Sequence, residues 1–191
     1  MRKITRISRR FAAVGAAGIA LATVFATSAA ACPVDLTVSS IALSGPSVPL
    51  AQQANEFGCT GGNLAPDIEW TGVPAGTQSF AVSLWDENAP SGKGLYQWVA
   101  FDVPGWARFL TEGQDLSDIG GKEALNDIGQ SGYLGPCPQP GSGPHHYFIT
   151  IYALDVPTLG LAANTADADV FTAINAHLIS KGQFEFTDSA S

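Results

Sequence analysis

Positive charge is scarce in this chain. Nine Lys and Arg face 17 Asp and Glu, and charged residues make up only 14% of the 191 positions. Five of the nine cations fall within the first ten residues, at Arg2, Lys3, Arg6, Arg9 and Arg10, so only Lys93, Arg108, Lys122 and Lys181 follow. Without the first 31 residues the net charge is −13. A surface of that sign does not bind nucleic acid by neutralising phosphates, and anionic membranes repel it. Histidine and cysteine number three each. No Cys-x-x-Cys pair or nearby His supports a zinc site, and no Gly-x-x-x-x-Gly-Lys loop cradles a phosphate. No metal or other cofactor is expected. Apolar residues are plentiful at 46%, which excludes disorder, while 21 Gly and 12 Pro favour many short elements joined by turns over a helical bundle.

The only long apolar run opens the chain. Behind the cationic start, Phe11 to Phe25 carries no charge, and Ser28, Ala29, Ala30 and Ala31 supply small residues for a signal peptidase. Residues 1–31 therefore read as a secretory signal peptide, and residues 32–191 as one domain. Ser8-Arg9-Arg10-Phe11 resembles a twin-arginine signal, although Phe follows the arginines directly. Ala29-Ala30-Ala31-Cys32 resembles a lipoprotein cleavage box that lacks the usual Leu three residues before the Cys. Both variants stay open, and membrane attachment is expected only if Cys32 is lipidated. The expected location is bacterial periplasm, cell envelope or extracellular space. Export implies an oxidising compartment, where Cys59 and Cys137 are expected to form a disulfide. Closing so long a loop contributes about 4 kcal/mol in the chain-entropy model. The alternative is two unrelated buried thiols.

Most of the remaining signal is extended. Leu36, Val38 and Ile41 are strand material, as is Ile68 to Trp70. Clear strands run over Ser79–Asp86, Leu95–Val103 and His145–Leu154, each bounded by Gly/Pro-rich turns. Residues 105–130 read as irregular. One late helix is expected, capped by Asn164 or Thr165, with Lys181 in its last turn and Gly182 as its stop. Val170, Ile174 and Leu178 form its apolar stripe, and Gln183 to Phe186 reads as a short final strand. The fold class is mainly β, a sandwich covered at one edge by a helix.

Alternation along the strands puts polar groups at the ends of apolar rows. Phe80, Val82 and Leu84 lead to Asp86. Val99, Phe101 and Val103 begin at Gln97, and Tyr147, Ile149 and Ile151 begin at His145. If those ends meet, they make a small polar floor at one end of a β core. The plainer readings are a turn Asp, an edge Gln and a structural His.

The same residues resemble a known family. Asp86-Glu87-Asn88-Ala89-Pro90 is similar to the Asp-Pro-Asp-Ala-Pro loop of the phosphatidylethanolamine-binding proteins, also called Raf-kinase-inhibitor-like proteins. The run from Tyr133-Leu134-Gly135 through Cys137, Pro138 and Pro144 to His145-His146-Tyr147 resembles that family's second signature, in which Tyr-x-Gly leads to His-Arg-Tyr. Gly62-Asn63-Leu64-Ala65-Pro66 and Val73 to Phe80 resemble its bacterial YbhB/YbcL branch. The resemblance spans roughly residues 36–188 and implies a Greek-key β-sandwich with a C-terminal helix. It also implies a small anion pocket, and action by binding ligands or inhibiting partners such as kinases or proteases. Carried over by motif, the ligand-binding residues are Asp86, Pro90, Gln97, Cys137 through its backbone, Pro138, His145 and Tyr147. Gln97 stands where the family has His, His146 where it has Arg, and Cys137 where it has Gly. A less cationic pocket follows, with weaker phosphate binding or a different anionic or neutral polar ligand.

The function expected is therefore an exported binding protein for a small anionic or phosphorylated ligand, with a protein partner possible. It is not expected to be an enzyme, and no catalytic residue is assigned. Gly129-Gln130-Ser131-Gly132-Tyr133 misses the Gly-x-Ser-x-Gly elbow at its last position, and His145 and His146 would point to opposite faces of one strand. The alternatives are a hydrolase using His145 and a structural domain with a vestigial pocket.

Overall fold

A computed structural model describes residues 35–190. The expected signal segment and Cys32 lie outside the described residues. Eight strands, one short 3-10 helix and one α-helix follow in order. A small sheet joins β1 (Thr37–Ser39), β2 (Ile68–Thr71) and β5 (Phe109–Leu110). A five-stranded sheet runs in the order β6 (Lys122–Glu123), β4 (Leu95–Pro104), β3 (Ser79–Asp86), β7 (His145–Leu154) and β8 (Leu178–Asp188). All strand pairs are antiparallel. The long connection from β4 back to the far side of β3 supplies the Greek-key crossover, and it contains the turns that border the site.

The two sheets enclose the main core. Val38, Ile68 and Trp70 of the small sheet meet Phe80, Val82 and Leu84 of β3 and Ile149 and Ile151 of β7. The outer face of the large sheet is covered by α1 (Asp167–His177), whose Val170 and Ile174 pack against Ala81, Val99, Phe101 and Leu154. β3, β4 and β7 are thus buried on both faces, which is why they read as near-continuous apolar runs.

Five expectations need correction. First, Val99, Phe101 and Val103 do not share a face. The β3–β4 register shifts between Phe80 and Val82 and again between Leu84 and Trp85. Each shift adds one residue to β4, so its inner row becomes Trp98, Ala100 and Val103, while Val99 and Phe101 face the helix. Second, the helix ends at His177 and begins after Ala166, whose side chain makes no cap. Asn164 and Thr165 do not cap it: the Asn164 N–H donates to the Glu123 carbonyl and the Thr165 hydroxyl to the Ala162 carbonyl. Third, the last strand is not short. Leu178–Asp188 pairs along the whole of β7 and takes in both Lys181 and Gly182. Ile41, expected in a strand, lies past β1 and is exposed. Within residues 105–130 the short β5, η1 (Leu116–Ile119) and β6 stand where irregular chain was expected.

Gly182 is a packing residue rather than a helix stop. A Cβ there would collide with the backbone carbonyl of Leu36, just before β1. Its absence lets the first strand of the small sheet lie against the last strand of the large one. Gly182→Ala should lower stability by about 1–3 kcal/mol in urea denaturation, as overpacking does. Gly45→Ala, where a Cβ meets nothing closer than 3.7 Å, should change it by under about 0.5 kcal/mol.

Glu123 on β6 is half-buried and accepts a 2.7 Å hydrogen bond from the Trp98 indole N–H. Burial raises its pKa from 4.5 to about 7, against the lowering effect of the Trp98 bond and with a smaller push from Asp115. Between those values the unfolded carboxyl ionises while the folded one stays neutral. Folding stability is therefore lost as pH rises from about 4.5 to 7, by on the order of 2–3 kcal/mol. Glu123→Gln keeps the acceptor and removes the titration. Its stability advantage over the native chain should grow across that pH window and level off above it, as followed by urea denaturation at several pH values.

Candidate functional site

The strict period of β3 and β7 carries Asp86 and His145 to one end of the inner face. Their side chains meet there, with His145 Nδ1 at 2.9 and 3.1 Å from the two carboxylate oxygens. Both residues are buried, Asp86 at 5% and His145 at 3% exposure. An ionised carboxylate only accepts, so Nδ1 carries the proton of this contact. Asp86 also accepts from the Asn88 N–H at 2.9 Å, which holds the first turn of the following loop. On the other side of the ring, Nε2 lies 3.0 Å from Ser142 Oγ. His146 points the other way and meets exposed Glu185.

Gln97 arrives by a different route. It is the extra residue of the second β4 bulge, between Trp98, opposite Leu84, and Tyr96, opposite Trp85. The bulge turns its side chain to the end where Asp86 and His145 meet. Its Nε2 donates to the Gly135 carbonyl at 3.2 Å, and its Oε1 is buried without a partner.

The loop that closes the site is held from several directions. Asn63 donates to the Tyr133 carbonyl at 2.8 Å and accepts from the Gly135 N–H at 2.9 Å. The Tyr133 hydroxyl donates to the Gln52 carbonyl. Cys59 and Cys137 are joined in a disulfide across 78 residues of sequence, with Cα atoms 5.9 Å apart. This is the pairing expected, and it ties the Phe57 turn to the loop.

Together these elements surround a cavity of about 450 Å³. Asp86, Gln97, Gln139, Ser142 and His145 are its polar lining, and Leu95, Leu134 and Ile128 face them with Ala89, Pro90, Phe57 and the Cys137 wall. Of the residues carried over by motif, Asp86, Pro90, Gln97, Cys137 and His145 come together here. Pro138 does not line this cavity. It borders a neighbouring one of about 360 Å³, between the disulfide turn and the end of β8 at Asp188. Tyr147 does not line it either. Its ring lies under His145, 6.0 Å between centroids and nearly parallel, and stacks on Phe186. Ser142 was not foreseen, nor were the apolar walls. The only sequence signal for Ser142 is its place between two glycines, three residues before His145.

A family model for phosphatidylethanolamine-binding protein matches residues 42–188. The chain belongs to the phosphatidylethanolamine-binding protein family. It is 36% identical over 132 residues to the UPF0098 protein YbcL of Escherichia coli (strain K12), covering 66% of this chain and 72% of that protein. It is 32% identical over 137 residues to YbhB of the same organism, covering 70% and 86%. The crystal structure of Escherichia coli YbcL superposes with a TM-score of 0.76 at 31% identity, over 82% of this chain and 99% of YbcL. The mainly β, two-sheet architecture is thus the family's own.

Beneath the cavity floor lies a buried acidic and phenolic cluster. Asp188 is the ladder partner of His145, and burial raises its pKa against hydrogen bonds from the Val48 and Ser189 backbone and the His145 charge. Burial raises the Tyr147 pKa strongly, with further pushes from the Asp86 and Asp188 charges. The Tyr147 hydroxyl feels Asp86 but makes no hydrogen bond of acceptable geometry. A buried hydroxyl without a partner costs stability rather than adding it. Tyr147→Phe should leave stability unchanged or raise it by up to about 1 kcal/mol in urea denaturation; a loss greater than about 1 kcal/mol would show that the hydroxyl is bonded.

Proposed function

We propose that this chain is an exported binding protein that holds a small amphiphilic ligand through an oxygen-rich, phosphate-type head group. The observation that carries this reading is a buried imidazole, fixed by Asp86, at the polar floor of an otherwise apolar 450 Å³ cavity. His145 orients the head group, and the Cys137 N–H, which donates to no acceptor among the described residues, is available to it. Leu95, Ile128 and Leu134 receive the apolar part. Among the described residues no Lys or Arg lines the cavity, so attraction for an inorganic dianion is weak and the apolar contacts carry more of the affinity. Export is supported by the Cys59–Cys137 disulfide and by a relative, the Putative lipoprotein LppC of Mycobacterium tuberculosis. That protein is 35% identical over 136 residues, 70% of this chain and 63% of LppC.

Calorimetric titration of the disulfide-bonded protein with phosphate, phosphoethanolamine and a short series of alkyl phosphates tests the reading. Affinity should rise about fourfold per added methylene until the cavity is full. His145→Ala and Gln97→Ala should each weaken the best alkyl phosphate at least tenfold. Absence of binding across the series, or binding that both variants leave intact, would overturn it.

A further inference from the structure

The cavity lining includes a hydroxyl that the ligand-binding reading does not use, that of Ser142. Ser142 Oγ, His145 Nε2, His145 Nδ1 and Asp86 form one hydrogen-bonded line, with links of 3.0 Å and 2.9 Å. Serine, histidine and buried carboxylate stand in the order and at the spacing of a nucleophile, its base and the group that orients the base. We propose that Ser142 is a nucleophile that accepts the acyl group of a small, uncharged carboxylic ester, making the pocket a slow esterase site. The inference rests on the pocket described under the proposed function and adds a reaction to it.

The surroundings of Ser142 favour this role. It sits at the tip of a turn between Gly141 and Gly143, both with positive φ, 85° and 82°. A Cβ added at either glycine would meet nothing within 4 Å, and Ser142 itself is exposed. Serine nucleophiles of other folds stand on similarly sharp turns, and the N–H that follows them helps to hold the oxyanion. The Gly143 N–H donates to no acceptor among the described residues. The hydroxyl proton has three acceptors within reach: the Gln139 carbonyl at 2.8 Å, the Gly143 carbonyl at 3.3 Å and His145 Nε2 at 3.0 Å. Rotation about one bond moves it from carbonyl to imidazole with no shift of heavy atoms. That competition makes the site slower than a dedicated hydrolase.

Each step balances. Ser142 Oγ attacks the ester carbonyl carbon while its proton passes to Nε2. The tetrahedral adduct expels the alkoxide, which takes that proton and leaves as the alcohol. Water then attacks the acyl-serine, again giving its proton to Nε2. The acid departs and Ser142 is reprotonated. Asp86 stays ionised throughout and stabilises the imidazolium. An uncharged ester is favoured because no Lys or Arg among the described residues lines the cavity, and the apolar walls suit a short acyl chain.

The test uses the disulfide-bonded protein with a fluorophosphonate probe and with p-nitrophenyl butyrate. Intact mass should show one phosphonyl adduct per chain, and peptide mapping should put it on Ser142. Ser142→Ala and His145→Gln, each checked by thermal melting, should slow p-nitrophenol release by roughly 100-fold. Because the map reads the native chain, it stands even if a variant fails to fold. No adduct, an adduct on another residue, or an unchanged rate in a folded Ser142→Ala would overturn the proposal. Alkyl phosphate binding without an adduct sinks this inference and leaves the binding reading standing. An adduct on Ser142 without alkyl phosphate binding does the reverse.

Discussion

The central constraint is that β3, β4 and β7 are covered on both faces, by the small sheet on one side and by α1 with its flanking chain on the other. Along their length there is little room for an ionised group. Polar side chains on these strands are mostly satisfied locally, as Ser83 is by Tyr152, or displaced to strand ends. Asp86 and His145 lie at the same end of adjacent antiparallel strands, so each becomes the other's partner. Removing either would leave a buried polar group unpaired, a larger loss than the pair's net contribution.

How much of this was legible depended on the local periodicity. β3 and β7 keep a strict period of two up to the point where their polar ends meet, so their rows predict the Asp86 and His145 positions. β4 breaks that period twice, and nothing in Leu95–Val103 announces a bulge by composition. Gln97 lines the cavity because the second bulge turns it there, and not through the row in which it was expected. The C-terminal segment failed for another reason. Lys181 and Gly182 form a convincing helix end in isolation, but pairing with all of β7 and close contact with Leu36 outweigh that local signal. Pro138 and Tyr147 follow the motif in sequence yet fall beside and beneath the cavity, because a motif records neighbours along the chain and not which side of a loop or strand they face.

The loop from Tyr133 to Ser142 shows what replaces regular structure where a site needs irregular backbone. It has no ladder, and it is held instead by Asn63, by the Gln97 amide and by a disulfide. These holds come from distant parts of the chain, so the loop keeps its shape only in the folded domain. Cys137 serves in both roles, as an anchor of the loop and as part of the cavity wall. The order of Ser142 therefore follows from the same contacts that form the pocket.

Electrostatics narrows what such a pocket can hold. Among the residues after position 31, four cations oppose 17 carboxylates, and of those four Lys122 is already paired with Asp102 while Arg108 is bonded to the Gly105 carbonyl. The net negative charge repels an approaching dianion, and among the described residues the only basic side chain in the cavity, His145, is bound to a carboxylate. Loop amides and one imidazole act over short distances and reward a group already inside, without drawing it in from solvent. On the proposed reading, an uncharged or singly charged head attached to an apolar body would enter with the smallest desolvation cost and meet Leu95, Ile128 and Leu134. Gln97 acts in the same direction: a neutral amide adds no cation to the floor, and on the proposed reading recognition rests on shape, apolar contact and directed hydrogen bonds.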